Sequence, residues 1–318
     1  MPTATIVPVI GGGPAGMSCA LWLKNYGLHP VIVEQAPTLG GMARRNPYPN
    51  PWLLGWPGAK AHGAAEAFAR HVGDAGIEVW FDAIPQRLAR GAGGFVLDVL
   101  GDEVPRSLSC QALVLATGTE FRGTEWLDGV PNARQFTKQG KLDIGPIPIG
   151  ESPPPAGAHV ALIGGGDNAF DVAHILLQRD VRVTIVMRSK APQAQPRLVA
   201  RIEAQVRKGR AAVLAGRTVA SLAETGGQID LRLDDDSSFT ADRIVLLFGY
   251  QPNTHQPWLA DLALRQNDDG YLEVDGNMQT SCPGVFAVGD VANPAHPCVA
   301  TAIAAGTMAA REIARQFG

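Results

Sequence analysis

The sequence contains few cysteines. Four occur in 318 residues, at positions 19, 110, 282 and 298, and no two of them have the Cys-x-x-Cys spacing. Their spacing argues against disulfide exchange through a vicinal dithiol. Charge is also scarce, since 18% of the residues are charged and the formal net charge is -3. Because the chain has no excess of basic residues, we expect neither a nucleic acid nor an anionic lipid surface as its partner.

A long uninterrupted hydrophobic run is missing as well. The most apolar stretch, residues 6–23, resembles a signal peptide, but glycines interrupt it and no basic residue precedes it. We therefore expect a cytoplasmic protein that does not interact with a membrane. Hydrophobic residues make up 46% of the chain, and its length is sufficient for two ordinary domains with full cores.

Glycine is abundant, and two glycine clusters have the form of a dinucleotide-binding turn. Each follows an apolar strand-like run and precedes a helical apolar pattern. In such a turn the first glycine permits the tight bend, the second lets the backbone approach a pyrophosphate, and the third lets the helix pack on the strand. We therefore predict two dinucleotide sites in one chain. The predicted contacts are Gly11, Gly13, Pro14, Ala15 and Gly16 in the first turn, and Gly164, Gly165, Gly166, Asp167 and Asn168 in the second.

The residue that ends the strand after each turn differs between the two copies. Eighteen residues beyond Gly16 lies Glu34, whose carboxylate suits a ribose with free hydroxyls, as in FAD or NAD. The same distance beyond Ala169 leads to Met187, and Arg188 follows. A guanidinium can pair bidentately with a 2′-phosphate, so the second site is predicted to prefer NADP.

Further residues belong to this predicted phosphate site. Ser189 stands next to Arg188, and Arg197 follows within the same loop and helix start. The alternative is that Arg188 and Lys190 form a solvated loop without a ligand.

The secondary-structure pattern runs twice along the chain: glycine turn, helix, strand, helix, short alternating strands, then an apolar strand. It predicts an α/β fold of two Rossmann-like three-layer (ββα) dinucleotide-binding domains. The strand before Gly289 needs a sheet to join, so the tail should return to the first domain. We expect an FAD-binding domain at residues 1–120 and 250–318, and an inserted NAD(P)H-binding domain at 121–249 with hinge-like connectors.

Two details of the first domain are expected from local patterns. Short alternating strands at 77–81, 95–100 and 104–109 predict one antiparallel meander. Pro8 removes a hydrogen-bond donor from the first strand and puts the length of that strand in question.

Together and in order, the motifs resemble those of low-molecular-weight thioredoxin reductase-like flavoproteins, and the resemblance covers essentially the whole chain. It implies FAD in the first domain, NADPH in the insert and a homodimer. It also implies that Asp290 holds the ribityl chain of FAD, and that the amides near Cys298 and Val299 face the pyrimidine edge of the flavin. The remaining implied cofactor contacts are Gln35, Gly40, Gly41, Met42, Thr117, Gly118, Gly249 and Gly289.

One departure from that family determines the functional prediction. Thioredoxin reductases carry a Cys-x-x-Cys pair in the insert, whereas the corresponding stretch here, 132–158, contains no cysteine. The same scaffold without the dithiol is typical of thioredoxin reductase-like ferredoxin/flavodoxin-NADP reductases. We therefore predict an FAD-dependent NAD(P)H oxidoreductase that passes electrons to a ferredoxin, a flavodoxin or another redox protein.

Three alternatives remain open at this point. Cys298, expected beside the flavin at a helix N-terminus, could act together with a partner thiol in a disulfide reductase or dithiol oxidase instead of serving as a spacer in the flavin pocket. The protein could be a non-catalytic dinucleotide-binding redox sensor. The electron acceptor could also be a small molecule or oxygen.

Overall fold

The computed structural model describes residues 5–91, 93–101 and 104–318. Within this part, the chain forms two compact units. The first unit combines the residues up to Glu120 with Gln251–Gly318, and the second unit is Phe121–Tyr250. The second unit is thus an insertion between two parts of the first.

The regular elements alternate between strands and helices in both units. In chain order the strands are β1 (Ile6–Ile10), β2 (His29–Val33), β3 (Glu78–Trp80), β4 (Ala83–Gly91), β5 (Gly94–Gly101), β6 (Val104–Cys110), β7 (Leu113–Leu115), β8 (Thr119–Phe121), β9 (Leu142–Ile144), β10 (His159–Ile163), β11 (Arg182–Met187), β12 (Ala211–Ala215), β13 (Val219–Thr225), β14 (Gln228–Leu233), β15 (Ser238–Ala241), β16 (Arg243–Leu246), β17 (Tyr250–Pro252) and β18 (Val285–Ala287). The α-helices are α1 (Pro14–Asn25), α2 (Gly41–Arg45), α3 (Ala61–Asp74), α4 (Thr124–Gly129), α5 (Ala133–Lys138), α6 (Ile147–Glu151), α7 (Asp167–Leu177), α8 (Pro196–Val206) and α9 (Val299–Phe317).

The first unit is built around a parallel sheet in the order β18-β7-β1-β2-β3. Because side chains alternate across a strand, neighbouring residues of β1 enter different cores. Val9 packs in the core that includes α1 and α9, whereas Ile10 packs in the core that includes the antiparallel sheet β4-β5-β6. Helices therefore cover one face of the parallel sheet and a meander covers the other.

The second unit repeats this layering. Its parallel sheet has the order β12-β11-β10-β16-β9, and β13-β14-β15 form a second antiparallel sheet. Leu162 of β10 packs with residues of α7 and α8, while its neighbour Ile163 packs with residues of the meander. The predicted fold class, two three-layer (ββα) Rossmann-like units, is confirmed.

The predicted meander of the first unit is wrong in one strand. The stretch predicted at 77–81 forms β3, which pairs in parallel with β2 at the edge of the main sheet. β4 takes its place in the meander and was not predicted. Pro85 and a register shift between Pro85 and Arg87 interrupt the regular alternation of β4, so the sequence pattern there is weak.

Pro8 does not shorten the first strand. It lies within β1 and is paired in register with Val31 of β2, while the pairing of β1 with β7 begins only at Val9. The strand therefore continues through the proline along its β2 edge. In the residues that the structure describes, no helix is both long and apolar enough to cross a membrane.

Helices α1 and α9 approach each other closely at Gly306, a residue inside α9. A Cβ atom at Gly306 would overlap the carbonyl oxygen of Ala15 and lie 2.8 Å from the amide nitrogen of Cys19. The Ser18 hydroxyl donates a hydrogen bond to the Ile303 carbonyl at 2.8 Å. This contact fixes α9 against the helix that begins at the first glycine turn.

We predict that Gly306→Ala destabilises the protein by about 1–3 kcal/mol, because the added methyl group meets backbone atoms that cannot rotate away. The matched control is Gly63→Ala in α3, where a Cβ meets no atom within 4 Å. Since alanine favours a helix over glycine, the control should be neutral or up to about 1 kcal/mol more stable. Urea unfolding measures both values, and a Gly306→Ala protein as stable as the wild type would contradict the packing argument.

Candidate dinucleotide-binding sites

The first glycine turn is fixed by hydrogen bonds to both neighbouring strands. The Gly11 amide donates to the Val33 carbonyl at 2.9 Å, and the Ala116 amide donates to the Ile10 carbonyl at 2.8 Å. Gly11 has a φ of 107°, and a Cβ on it would overlap the carbonyl oxygen of Ala116. Only glycine therefore permits the bend that leads from β1 into α1.

The space in front of this turn is open. Gly13 is the N-cap of α1, and a Cβ on it would meet no atom within 4 Å. Pro14 occupies the first helical position, and no side chain in the described part of the chain caps the helix. The first turn of a helix offers unsatisfied N–H groups and a partial positive charge, so the geometry fits a pyrophosphate. Gly16 lies against the carbonyl oxygen of Gly11, where a side chain would not fit.

Glu34 lies beside the turn and is only 6% exposed. Its carboxylate accepts hydrogen bonds from the Gly12 amide at 2.7 Å and the Ala36 amide at 2.8 Å. These two bonds use one site on each oxygen and orient the group, and a carboxylate has about four acceptor sites. The Glu34 carboxylate can therefore still accept hydrogen bonds from the hydroxyl groups of a ribose. Gly12, which the predicted set lacked, contributes to the site by orienting Glu34, and its place between Gly11 and Gly13 is a signal for it.

The loop after β2 folds back onto the turn. The Gly40 amide donates to the Gly12 carbonyl at 2.8 Å, and a Cβ on Gly41 would lie 3.2 Å from the Cα of Gly13. The structure thus brings Gly40 and Gly41 to the first turn. Gln35 is exposed next to Glu34, and Met42 is half-buried in the short helix α2.

Thr117 and Gly118 follow β7 and are held by Asn253. The Asn253 side-chain amide donates to the Thr117 carbonyl at 2.8 Å, and the Asn253 backbone amide donates to the Gly118 carbonyl at 3.0 Å. The Thr117 hydroxyl donates to the Asn253 carbonyl at 3.1 Å. Asn253 is a further residue that the predicted set lacked, and it organises the segment after β7 by long-range contacts.

Asp290 lies near the start of α1, and within the described part of the chain no charged group contributes to its pKa shift. A Cβ on its neighbour Gly289 would lie 2.7 Å from the Cβ of Ala15, in the first turn of α1. Burial raises the pKa of Asp290 from 3.8 to about 6. No hydrogen bond from the described residues reaches its carboxylate. A desolvated carboxylate without a protein donor fits a site whose hydroxyl donors come from a ligand.

Cys298 is the N-cap of α9, and Val299 is the first residue of that helix. The Cys298 sulfur is half-buried and lies 3.4 Å from the Thr301 hydroxyl, which also accepts a hydrogen bond from the Cys298 amide at 3.3 Å. All four cysteines are free, and the other three are buried. Burial raises the pKa of the Cys110 thiol to about 12, and it also raises the pKa of Cys19 and Cys282.

The second glycine turn has the same backbone frame as the first. The Gly164 amide donates to the Val186 carbonyl at 2.9 Å, and the Leu247 amide donates to the Ile163 carbonyl at 2.8 Å. The φ of Gly164 is 150°, and a Cβ on Gly166 would meet no atom within 4 Å. The N-terminus of α7 is therefore as open as that of α1.

The register of the two sheets identifies the residue that corresponds to Glu34. Ile10 pairs with Val33 in the first unit and Ile163 pairs with Val186 in the second, so the residue equivalent to Glu34 is Met187. In place of a carboxylate, the Met187 sulfur lies 3.3 Å from where a Cβ on Gly165 would be. The second site therefore lacks the acid that would repel a phosphate on the ribose.

Arg188 and its neighbours lie at the carboxyl end of β11. Arg188 is exposed and Ser189 is half-buried, and the Ser189 carbonyl accepts a hydrogen bond from the Gly216 amide at 3.0 Å. Arg197 is exposed in the first turn of α8. Its charge acts to lower the pKa of Asp171 on α7, although burial and then the charge of Asp167 raise that pKa overall.

Asp167 connects the second turn to the loop that carries these cations. Its carboxylate accepts hydrogen bonds from the backbone amide and the side-chain amide of Gln195, both at 2.7 Å. The Gln193 amide donates to the Gly165 carbonyl at 2.8 Å. That Asp167 contacts the cofactor stays a prediction, and in the structure its carboxylate contacts Gln195. Gln193 and Gln195 were not predicted, since nothing in the local sequence indicates these pairings.

The two remaining predicted residues lie near Tyr250. The Asn168 side chain donates to the Tyr250 hydroxyl at 3.5 Å, and the Gly249 carbonyl accepts from the Arg122 amide at 3.1 Å. The structure therefore groups the predicted residues into two sets, one around each glycine turn.

Comparisons with known proteins identify relatives of this chain. The sequence model of the pyridine nucleotide-disulphide oxidoreductase family matches residues 5–309. A ferredoxin–NADP reductase of Ignicoccus hospitalis is 28% identical over 95% of this chain and 94% of that protein. A thioredoxin reductase of Coxiella burnetii is 26% identical over 96% of this chain and 94% of that protein. The crystal structure of T. acidophilum thioredoxin reductase has a TM-score of 0.82 at 22% identity and covers 99% of both chains. The resemblance inferred from the motifs is confirmed.

We predict that Asp290→Asn stabilises the cofactor-free protein in a pH-dependent way. The folded pKa of about 6 lies above the ordinary value of 3.8, so folding costs free energy once the carboxyl ionises. The cost is absent below pH 3.8 and complete above pH 6. The variant should therefore be roughly 1–3 kcal/mol more stable than the wild type at pH 8 and equally stable near pH 4.

Urea unfolding at pH 4, 6 and 8 measures this difference. Asp261→Asn, which changes an exposed acid of the same unit, is the control and should show no such trend. A stability gain for Asp290→Asn that is equal at all three pH values would contradict the assignment of the effect to burial of the charge.

Proposed function

Because this chain belongs to the pyridine nucleotide-disulphide oxidoreductase family, we propose that it is an FAD-dependent NADPH oxidoreductase that delivers electrons to an external acceptor. Its cofactors are FAD in the first unit and NADPH in the second. The acceptor is a ferredoxin-type protein or flavodoxin, and the active unit is a homodimer. The ferredoxin–NADP reductase named among the relatives supports this choice of acceptor.

One observation carries the proposal. Two glycine turns share the same backbone frame, yet the equivalent register position holds Glu34 in one and Met187 in the other. A buried carboxylate selects free ribose hydroxyls, whereas an apolar residue followed by Arg188 admits a 2′-phosphate. A protein with both arrangements is suited to bind two different dinucleotides.

The residues of the first unit bind and orient FAD. The open N-terminus of α1 holds the pyrophosphate, Glu34 holds the adenosine ribose, and Asp290 accepts hydrogen bonds from the ribityl hydroxyls. The N-terminus of α9, at Cys298 and Val299, places a partial positive charge at the pyrimidine edge of the flavin. When bound, FAD supplies the redox chemistry, taking a hydride from NADPH and passing electrons on to the acceptor.

The residues of the second unit bind NADPH. The N-terminus of α7 holds the pyrophosphate, while Arg188, Ser189 and Arg197 bind the 2′-phosphate. Asp167 holds Gln195, and this pair of hydrogen bonds at 2.7 Å keeps the loop with its cations close to the turn. Asp167 therefore acts on coenzyme choice as a positioning residue.

The distribution of thiols favours electron transfer over disulfide exchange. The stretch 132–158 of the second unit contains no cysteine, and three of the four cysteines are buried with raised pKa values. Disulfide reduction through Cys298 is the second candidate, supported by the relatives named thioredoxin reductase and by the half-buried position of this thiol at the start of α9.

Anaerobic titration with NADPH tests the proposed activity. We expect the visible absorbance of the oxidised flavin to bleach with one equivalent of NADPH. Thiol titration of the reduced protein should show no change in the number of reactive thiols. Absorbance that does not respond to NADPH would contradict the proposed activity, and a gain of two thiols would favour the disulfide reductase.

Coenzyme choice tests the second site separately. We expect Arg188→Ala to raise KM for NADPH by roughly ten- to a hundredfold, because it removes a charged hydrogen-bonding partner of the phosphate worth about 1.5–3 kcal/mol. KM for NADH should change little. The control is Arg207→Ala, which removes an exposed cation just after α8. An unchanged preference for NADPH in Arg188→Ala would contradict the phosphate assignment.

A further inference from the structure

The segment around α2 and the following loop has an unusual charge composition. About one residue in ten of the whole chain is acidic, and the net charge is -3. Residues 35–65 nevertheless contain no aspartate or glutamate, while Arg44, Arg45 and Lys60 lie within them. This part of the first unit therefore carries positive charge on a protein that is negative overall.

The loop within this segment is closed at its base by backbone hydrogen bonds. The Asn50 amide donates to the Ala59 carbonyl at 2.9 Å, and the Ala61 amide donates to the Tyr48 carbonyl at 3.1 Å. Within the loop the Trp56 amide donates to the Leu53 carbonyl at 3.2 Å. These bonds tie the two sides of the loop together, so part of the ordering that binding of a partner requires is already present.

The tip of the loop exposes large apolar side chains. Trp52 is 76% exposed, Leu54 is 99% exposed and Trp56 is 40% exposed. Exposed apolar groups of this size, close together, are typical of interaction sites, and tryptophan is enriched among the residues that contribute most to binding.

The cations lie next to the base of this loop. Arg45 is exposed at the end of α2, and Lys60 is exposed where the loop returns. The His62 amide donates to the Asn46 carbonyl at 3.3 Å, which joins the two sides close to both cations. Arg44 is less available, since its guanidinium lies 3.9 Å from the Glu66 carboxylate. An apolar tip flanked by cations matches an acidic protein surface that has an apolar centre.

We propose that this docking loop, residues 44–60, binds the acidic redox protein that accepts electrons from the enzyme. The proposal rests on the proposed function and names the surface that serves it. Arg45 and Lys60 attract the acidic partner, and Trp52 with Leu54 provide the desolvated contact at the centre of the interface.

Steady-state kinetics with two acceptors test this assignment. The probes are an acidic flavodoxin and menadione, a small uncharged quinone, each reduced with NADPH by the FAD-loaded enzyme. For Arg45→Glu/Lys60→Glu and for Trp52→Ser/Leu54→Ser we expect KM for flavodoxin to rise about tenfold or more. Turnover with menadione should stay within about twofold of the wild type, because a small acceptor needs no docking surface. The rise for the charge variant should disappear at high salt.

Two matched controls separate this surface from general effects. Arg207→Glu/Lys208→Glu reverses two exposed cations of the second unit, and Ile84→Ser removes a 50% exposed apolar side chain of β4. Both should leave KM for flavodoxin unchanged. Unchanged flavodoxin kinetics in the loop variants, or equal losses in the controls, would overturn the proposal.

Direct binding distinguishes the docking surface from the proposed activity. If the wild type reduces neither acceptor, the proposed function fails, and calorimetric binding of oxidised flavodoxin at low salt then tests the surface alone. Loss of that binding in the loop variants supports the surface, whereas unchanged binding overturns it. Two other results would also overturn it. Sedimentation with phosphatidylglycerol vesicles that is lost in the loop variants would show that the loop binds a lipid surface. Conversion of a dimer into a monomer by Trp52→Ser/Leu54→Ser would show that the loop is a subunit interface.

Discussion

The close contact between the first glycine of each turn and a neighbouring carbonyl group determines the rest of this structure. A side chain on Gly11 would overlap the Ala116 carbonyl, and one on Gly164 would overlap the Leu247 carbonyl. Because the backbone can bend there, each following helix begins directly at the end of the central strand. Its first turn is left open in front of Gly13 or Gly166. Both units thus acquire an open helix N-terminus, the kind of site that suits an anion, from the same local requirement.

Since the two turns have the same frame, their selectivity depends on what is placed around it. At one register position Glu34 is buried and held by two backbone amides, and at the equivalent position Met187 packs on the second glycine. The loop after β11 is also held differently from the loop after β2. Its Gln195 amide donates a hydrogen bond to the Asp167 carboxylate. Fold and ligand choice are therefore separable: the glycines leave space for a dinucleotide in both units, and in the proposed function a few neighbouring side chains determine which one binds.

The local features of the fold could be predicted from sequence, and the long-range ones could not. Glycine turns, buried parallel strands and the start of α9 follow from short patterns, and the three-layer class follows from their order. The edge position of β3 could not be predicted, because it depends on pairing with β2, which is distant in sequence. β4 was missed because Pro85 and the register shift after it interrupt the alternating pattern of a strand. In the candidate sites, Glu34 and Arg188 are found by counting from the turns. The partners Asn253 and Gln195 could not be predicted, because nothing in the local sequence specifies a hydrogen bond across 136 or 28 residues. Gly306 was predictable only in part. A glycine inside an alanine-rich helix indicates that another element packs closely there, but the sequence does not identify that element as α1.

Three carboxylates of the first unit show how burial can be separated from function. Glu312 is paired with Arg315 and Gln316, which hold its pKa down at about 2, so the protein itself satisfies it. Glu34 is more deeply buried but is oriented by two amides and keeps free acceptor sites. Asp290 has neither arrangement, and burial alone raises its pKa to about 6. A protein that places an acid where ionisation is costly and offers it no donor loses stability without gaining a contact. A ligand that supplies the donors would offset this loss, and under the proposed function the ribityl hydroxyl groups of FAD have that role.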